Sequence, residues 1–256
     1  MQARKIKWIG LGISMILGML SVAPWIGAAT LSPGEILDRV DRNSQYQSAY
    51  TEAAMEITLG GRKITKTLRT WAEGNQKALV EFTSKRDQGT RILKLGDDLW
   101  LYSPTAESEV KLSGEMLKQG MAGSDFSYQD ALENEKLREL YQANAAGDET
   151  IGGRPCYVLE LVAKPGVEVS YYRRKIWVDE ERFVGLKEEL YAPSGKLLKV
   201  STTEKVELFG SRYYPTVVVM EDKLRKNSST RFTIDTIQFN VTIPAGTFTR
   251  QRLTGR

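Results

Sequence analysis

The 256-residue sequence contains no histidine and a single cysteine, Cys156. Without imidazole there is no His-based triad, no His metal site and no ring nitrogen to move protons near neutral pH. One cysteine cannot close an internal disulfide. Its setting, Pro155-Cys156-Tyr157-Val158-Leu159, reads as strand, where a thiol serves as a small buried apolar group. No nucleophile–base motif is present either, so the chain is not expected to be an enzyme, and no catalytic residue, metal ligand or cofactor is assigned. Asp97-Asp98 places two acids in a turn but supplies no further oxygen ligands for a cation.

A strong net charge is also missing. Three of the 36 basic residues, Arg4, Lys5 and Lys7, stand in the first 29 positions, which hold none of the 32 acidic ones. The remainder carries 33 basic residues against 32 acidic, a net charge of +1 with the signs interspersed. Such a surface gives no electrostatic footprint for nucleic acid.

Charge is absent altogether from Trp8 to Ala29. Arg4, Lys5 and Lys7 form a basic start, an apolar run extends to about Val22, Pro24 breaks it, and Gly27-Ala28-Ala29 offers small residues for cleavage. Residues 1–29 are therefore expected to be a signal peptide, and residues 30–256 a single domain. The competing reading is an uncleaved membrane anchor. No cysteine follows the run, so the chain is not itself expected to be a lipoprotein.

What is present is strand pattern. After a helix that opens at Ser32-Pro33-Gly34-Glu35, with Ser32 and Glu35 forming a capping box and Ile36, Leu37 and Val40 a stripe, alternation continues almost unbroken. Ala53, Met55, Ile57 and Leu59 alternate with polar residues, Gly60-Gly61 turns the chain, and strands follow around 64–71, 78–82, 92–95, 99–102 and 110–112. They resume at 156–163, 171–178, 183–191, 197–208, 213–224 and 230–239, about a dozen in all. The short polar turns between them require antiparallel neighbours.

Residues 113–140 break the pattern. Met116, Met121, Phe126 and Tyr128 lie in a stretch loosened by Gly120 and Gly123, and Ser127 with Asp130 resembles a capping pair for a helix carrying Ala131, Leu132, Leu137 and Leu140. Methionine repacks around variable apolar guests, so the stretch reads either as a movable lid over a hydrophobic ligand or as a plug of the core. Residues 99–102 raise a related question, because Leu99 and Leu101 face one way, Trp100 and Tyr102 the other, and both faces are apolar. Trp100 and Tyr102 either line a cavity or pack on a helix. Tyr171-Tyr172-Arg173-Arg174-Lys175 either meets anionic headgroups or forms a solvated strand face. A long antiparallel sheet must curl and cover its apolar face. The N-terminal helix and residues 113–140 are the candidate covers.

The stretch Leu95-Gly96-Asp97-Asp98-Leu99-Trp100-Leu101-Tyr102-Ser103-Pro104 resembles the central hairpin of the LolA-like periplasmic lipoprotein carriers. The close of the chain, Phe239-Asn240-Val241-Thr242-Ile243-Pro244-Ala245-Gly246-Thr247-Phe248, is similar to that family's close. Residues 121–130, MAGSDFSYQD, look like the broader outer-membrane lipoprotein-sorting group. The resemblance implies a mainly β (α+β) fold, an unclosed and strongly curved antiparallel β-barrel with helices over its concave face. It also implies a periplasmic protein that holds acyl chains of lipoproteins or other lipids and passes them toward the outer membrane. Partners would be an inner-membrane transporter and an outer-membrane acceptor, with the protein monomeric and no nucleic acid involved. On that basis the expected cavity wall is Met55, Ile57, Leu59, Leu68, Phe82, Trp100 and Tyr102, and the expected lid residues are Met116, Met121, Phe126 and Tyr128. One departure stands out: where the best-known carriers have an Arg-Pro pair whose Arg holds the lid, this chain reads Trp71-Ala72-Glu73-Gly74-Asn75.

Three other classes compete. The same fold resembles the ligand domain of periplasmic envelope-stress regulators, which makes a sensor, or an adaptor for a lipid transporter, the alternative. An enzyme on this fold is disfavoured by the missing histidine. An integral outer-membrane barrel is disfavoured by charges such as Lys199, Lys205 and Glu207 on a face that would meet lipid.

Overall fold

The structure, a computed structural model, describes residues 31–132 and 137–255. The expected signal peptide at 1–29 lies outside the described residues.

Helix α1 (Pro33–Ser44) starts where its capping chemistry places it. The Glu35 backbone N–H donates to Ser32 Oγ at 3.3 Å, and the Ser32 backbone N–H donates to the Glu35 carboxylate at 2.8 Å. Ile36 and Leu37 are buried, and Val40 packs beside them.

Six strands follow as a meander: β1 (Ser48–Leu59), β2 (Arg62–Glu73), β3 (Lys77–Phe82), β4 (Arg91–Leu95), β5 (Asp98–Ser103) and β6 (Ser108–Leu112). Residues 113–140 contain two single 3-10 turns and the short helices α2 (Tyr128–Leu132) and α3 (Leu137–Leu140). A second meander runs through β7 (Tyr141–Ile151), β8 (Arg154–Ala163), β9 (Arg173–Asp179), β10 (Gly185–Tyr191), β11 (Leu197–Phe209), β12 (Arg212–Asp222) and β13 (Ser228–Phe239). Helix α4 (Arg250–Thr254) ends the described chain. Gly60-Gly61 closes the β1–β2 hairpin with φ of +56° and +83°, a conformation that a two-residue turn demands and that side-chain-bearing residues resist.

The strands form one sheet in the order β6-β5-β4-β3-β2-β1-β13-β12-β11-β10-β9-β8-β7, with every pairing antiparallel. The first and last strands meet at the centre, where Met55 pairs with Phe232. The two outer strands, β6 and β7, are consecutive in sequence, yet no ladder joins them among the described residues. The fold is therefore an antiparallel barrel left open along one seam. Residues 113–140 connect the two rims of that seam.

Strand β7 was not expected from the sequence. Its segment, YQANAAGDETI, has no apolar alternation, and most of it is exposed. An edge strand with one ladder and a bulge between Ala145 and Asp148 has little to bury, so hydrogen bonding to β8 specifies it rather than hydrophobic pattern.

Candidate functional site: the inner wall and its lid

The register assigns each residue to a face. Met55 opposes Lys66 and Phe232, Leu68 opposes Phe82, Val80 opposes Ile92, and Ile92 opposes Leu101. Directly opposed residues share a face. This inner face carries one apolar cluster from Ala53, Met55 and Ile57 on β1, across Leu68, Phe82 and Ile92, to Leu99 and Leu112. Tyr128, Met121 and Leu117 come down onto it from residues 113–140, which thus act as a strap over the wall. On the other half of the sheet, α1 lies with Ile36 and Leu37 against Leu159, Leu161, Ile176 and Val178.

Polar contacts fasten the strap. Asp125 is 2% exposed. Its carboxylate accepts from Thr230 Oγ1 at 2.6 Å and from Ser228 Oγ, both on the central strand β13. Its backbone N–H donates to Thr230 Oγ1 at 2.9 Å. Five residues on, the Asp130 carboxylate accepts from Lys199 Nζ on β11 at 2.8 Å and from the Tyr171 hydroxyl at 2.7 Å. The expected Ser127–Asp130 capping pair is present: Asp130 N–H donates to Ser127 Oγ at 3.1 Å, and Ser127 N–H returns to the Asp130 carboxylate at 2.7 Å. Of the helix expected beyond it, α2 and α3 are described, and residues 133–136 lie outside the described residues.

Beside Met121 the wall leaves a pocket of about 200 Å³, lined among others by Tyr46, Ala72, Ala78, Val80, Ile92, Lys94 and Leu99. Burial pushes the phenols of Tyr46 and Tyr128 above their usual value, so both stay neutral.

Most of the expected wall converges: Met55, Ile57, Leu68, Phe82, Met121 and Tyr128 share one cluster, and of these Met121 touches the pocket itself. Phe126 lies one step away, against Tyr171, Leu190 and Met220, with its ring edge-on to Phe232 at 6.0 Å. Leu59 and Met116 are at the periphery, 45% and 37% exposed. Trp100 and Tyr102 are a correction. They face outward, where they pack with Leu79 and Leu93 against Phe248 and Leu253 of the C-terminal segment. Arg250 stacks on the Trp100 ring at 3.9 Å, and Arg252 reaches the buried Glu81 at 3.0 Å. The second apolar face of β5 is thus covered by the chain's own C-terminus, and the inner side chains of this strand are Leu99 and Leu101. Alternation separates two faces but does not say which is concave.

Lys199 is a second correction. Read as an outward charge, it belongs to the inner face, since it opposes Leu190, which opposes Arg174, which opposes Leu161. Asp130 neutralises it there. Of the basic aromatic run, Tyr171 is buried, Arg174 stands beside the Tyr141 and Tyr171 rings, and Tyr172 is exposed. The pocket residues Ala72, Ala78, Val80, Ile92 and Lys94 were not singled out from sequence. Their only signal is shared parity with Leu99.

An open antiparallel barrel, apolar inside and strapped across that side, is the LolA-like architecture. A protein-family model described as "-like: Uncharacterized protein" matches residues 74–255, well over half of the chain, and the chain belongs to that family. Among solved structures it is similar to a DUF1329 family protein from Desulfovibrio piger, with a TM-score of 0.80 and 23% identity over 87% of this chain and 100% of that one. It is also similar to an outer membrane lipoprotein-sorting protein domain from Vibrio parahaemolyticus, with a TM-score of 0.76 and 22% identity over 87% of this chain and 98% of that one. A LolA superfamily protein from Nitrosomonas europaea aligns with a TM-score of 0.72 and 23% identity over 87% and 100%. At these identities the likeness establishes the fold. No curated protein matches the chain in sequence.

Proposed function

We propose that this chain is a non-covalent carrier that takes acyl chains of lipoproteins or other lipids under the strap and moves them across the periplasm toward the outer membrane. In this reading residues 1–29 direct export, residues 30–256 form the carrier domain, and transfer runs from an inner-membrane transporter to an outer-membrane acceptor. The observation that carries it is the strap itself: an apolar wall is covered by a segment whose central fastenings are the hydrogen bonds of Asp125 and Asp130. Such fastenings can be exchanged for water at modest cost, whereas a fused apolar core cannot. The name of the Vibrio parahaemolyticus relative, a lipoprotein-sorting domain, supports the same reading.

The pocket, at about 200 Å³, lies below the size of ordinary ligand cavities. In this closed position the strap is read as filling the place of cargo. An acyl chain of about sixteen carbons gains on the order of ten kcal/mol on burial. Closing the strap again at the acceptor returns part of that. With no arginine at 71–75 to lock the lid, Asp125 and Asp130 take that task.

The test is mass spectrometry of the organic extract from the purified protein beside a Met121→Asp variant. A stoichiometric lipid or acylated peptide that the variant lacks supports the carrier. An empty protein that also takes up no added lipid overturns it in favour of a protein-binding adaptor.

A further inference from the structure

The contact between Asp130 and the sheet has the form of a carboxylate recognised by its host. Besides the strap's own Ser127 N–H at 2.7 Å on Oδ2, each oxygen has a donor from outside the strap: Lys199 Nζ at 2.8 Å on Oδ2 and the Tyr171 hydroxyl at 2.7 Å on Oδ1. These two donors belong to the sheet and the β8–β9 loop, whereas the acid belongs to the strap. The sheet side has polar contacts of its own. The Tyr171 carbonyl accepts from the Tyr141 hydroxyl at 2.8 Å, and that hydroxyl accepts from Arg174 Nε at 2.9 Å. Arg174 in turn meets Glu188 at 3.2 Å.

Charge points the same way. Asp130 pairs with the Lys199 ammonium at 2.8 Å, and Asp222 shares the same face directly across the β11–β12 ladder. The Lys199 side chain is 12% exposed. An ammonium so placed is costly without an anion. The strap also continues as an amphiphile would. Four residues before Asp130, Phe126 lies on Leu190 and Met220, and Met121 follows on the apolar wall of β1 to β5. Acid head and apolar tail occupy the groove in sequence.

Resting on the carrier reading above, we infer that Lys199 and the Tyr171 hydroxyl form a headgroup subsite for an amphiphile with an anionic oxyacid head, which the strap's own Asp130 carboxylate fills in the closed state. Cargo enters by displacing Asp130 from the head position and Phe126 from the tail position. Carboxylate and phosphate heads share the required chemistry.

The experiment uses delipidated mature protein and four sixteen-carbon probes: palmitate, hexadecyl phosphate, hexadecanol and hexadecylammonium, titrated calorimetrically. Charged hydrogen bonds predict that an anionic probe binds about tenfold or more tightly than hexadecanol, and the stronger of the two anions identifies the head. Lys199→Met is expected to erase that preference while leaving hexadecanol binding intact, which also shows that the variant is folded. Lys199→Arg is expected to keep the preference, and Asp130→Asn to strengthen palmitate binding by weakening the competitor. Equal binding of all four probes, or an anion preference that survives Lys199→Met, overturns the subsite and leaves the carrier standing. Binding of none overturns both.

Discussion

The Asp125 carboxylate accepts a hydrogen bond of 2.6 Å from Thr230, 105 residues further along the chain. This single contact ties the middle of the strap to the central strand of the sheet. With Ser228 and the Asp125 backbone N–H it forms a buried latch whose members are polar on both sides. Polar latches of this kind are strong while dry and are lost together once water enters.

Asp125→Ala is therefore expected to loosen the strap selectively. It leaves the Ser228 and Thr230 hydroxyls without their acceptor, a cost of about 1–3 kcal/mol. Hydrogen exchange should speed up at residues 117–129 while the amides of β1 and β13 stay protected. Unchanged exchange in the strap would show that Asp125 does not hold it.

The two faces of β5 should respond differently to mutation. Leu253 is 0% exposed on the outer side, so Leu253→Ala is expected to lower stability by about 3 kcal/mol in urea titration. Lipid uptake should not change. A loss of uptake at full folding would place the C-terminal segment in the binding path.

Met121→Asp and Phe126→Asp put a carboxylate on the apolar side of the strap. Each is expected to weaken binding of an acyl probe by about tenfold or more, with the far-ultraviolet dichroism of the sheet retained. Normal binding by both folded variants would remove the strap from the site.

The acid limb of stability has an identifiable contributor in Asp179, which is buried at the end of β9. Burial alone would raise its carboxyl, but the Arg154 guanidinium and the backbone N–H groups of Arg182 and Glu181 outweigh it and hold the group below the usual carboxylate value. A depressed folded-state value gives stability that is present above about pH 4, where the unfolded carboxyl ionises, and is lost as pH falls through the folded value. Asp179→Asn should be less stable near neutrality and lose less between about pH 6 and about pH 3, measured by denaturant midpoints. An unchanged pH slope would rule this residue out.

The sequence made much of this visible. The capping box of α1, the Gly-Gly turn after Leu59, the interruption at 113–140 and the Ser127–Asp130 pair all appear where local chemistry puts them. Most of the inner wall was also legible, because Ile57, Leu68 and Phe82 stand between polar neighbours and Met55 keeps their alternation despite Ala54. Strand β7 was not, since an exposed edge has no apolar signature. Trp100 and Tyr102 were placed on the wrong side for another reason. A strand that is apolar on both faces announces two covers without saying which is the ligand's and which is the chain's own C-terminus.

Local sequence determined the antiparallel meander, the helix ends and the two-faced character of each strand, because these depend on residues a few positions apart. The concave side, the covering of β5 by Leu253 and Phe248, and the meeting of Asp125 with Thr230 depend on contacts far apart in sequence. They rest on long-range pairing such as that of β1 with β13. Lys199 shows the difference most plainly. Its alternation says only that it opposes Leu198 and Val200, and tertiary structure turns that charge inward to face Asp130.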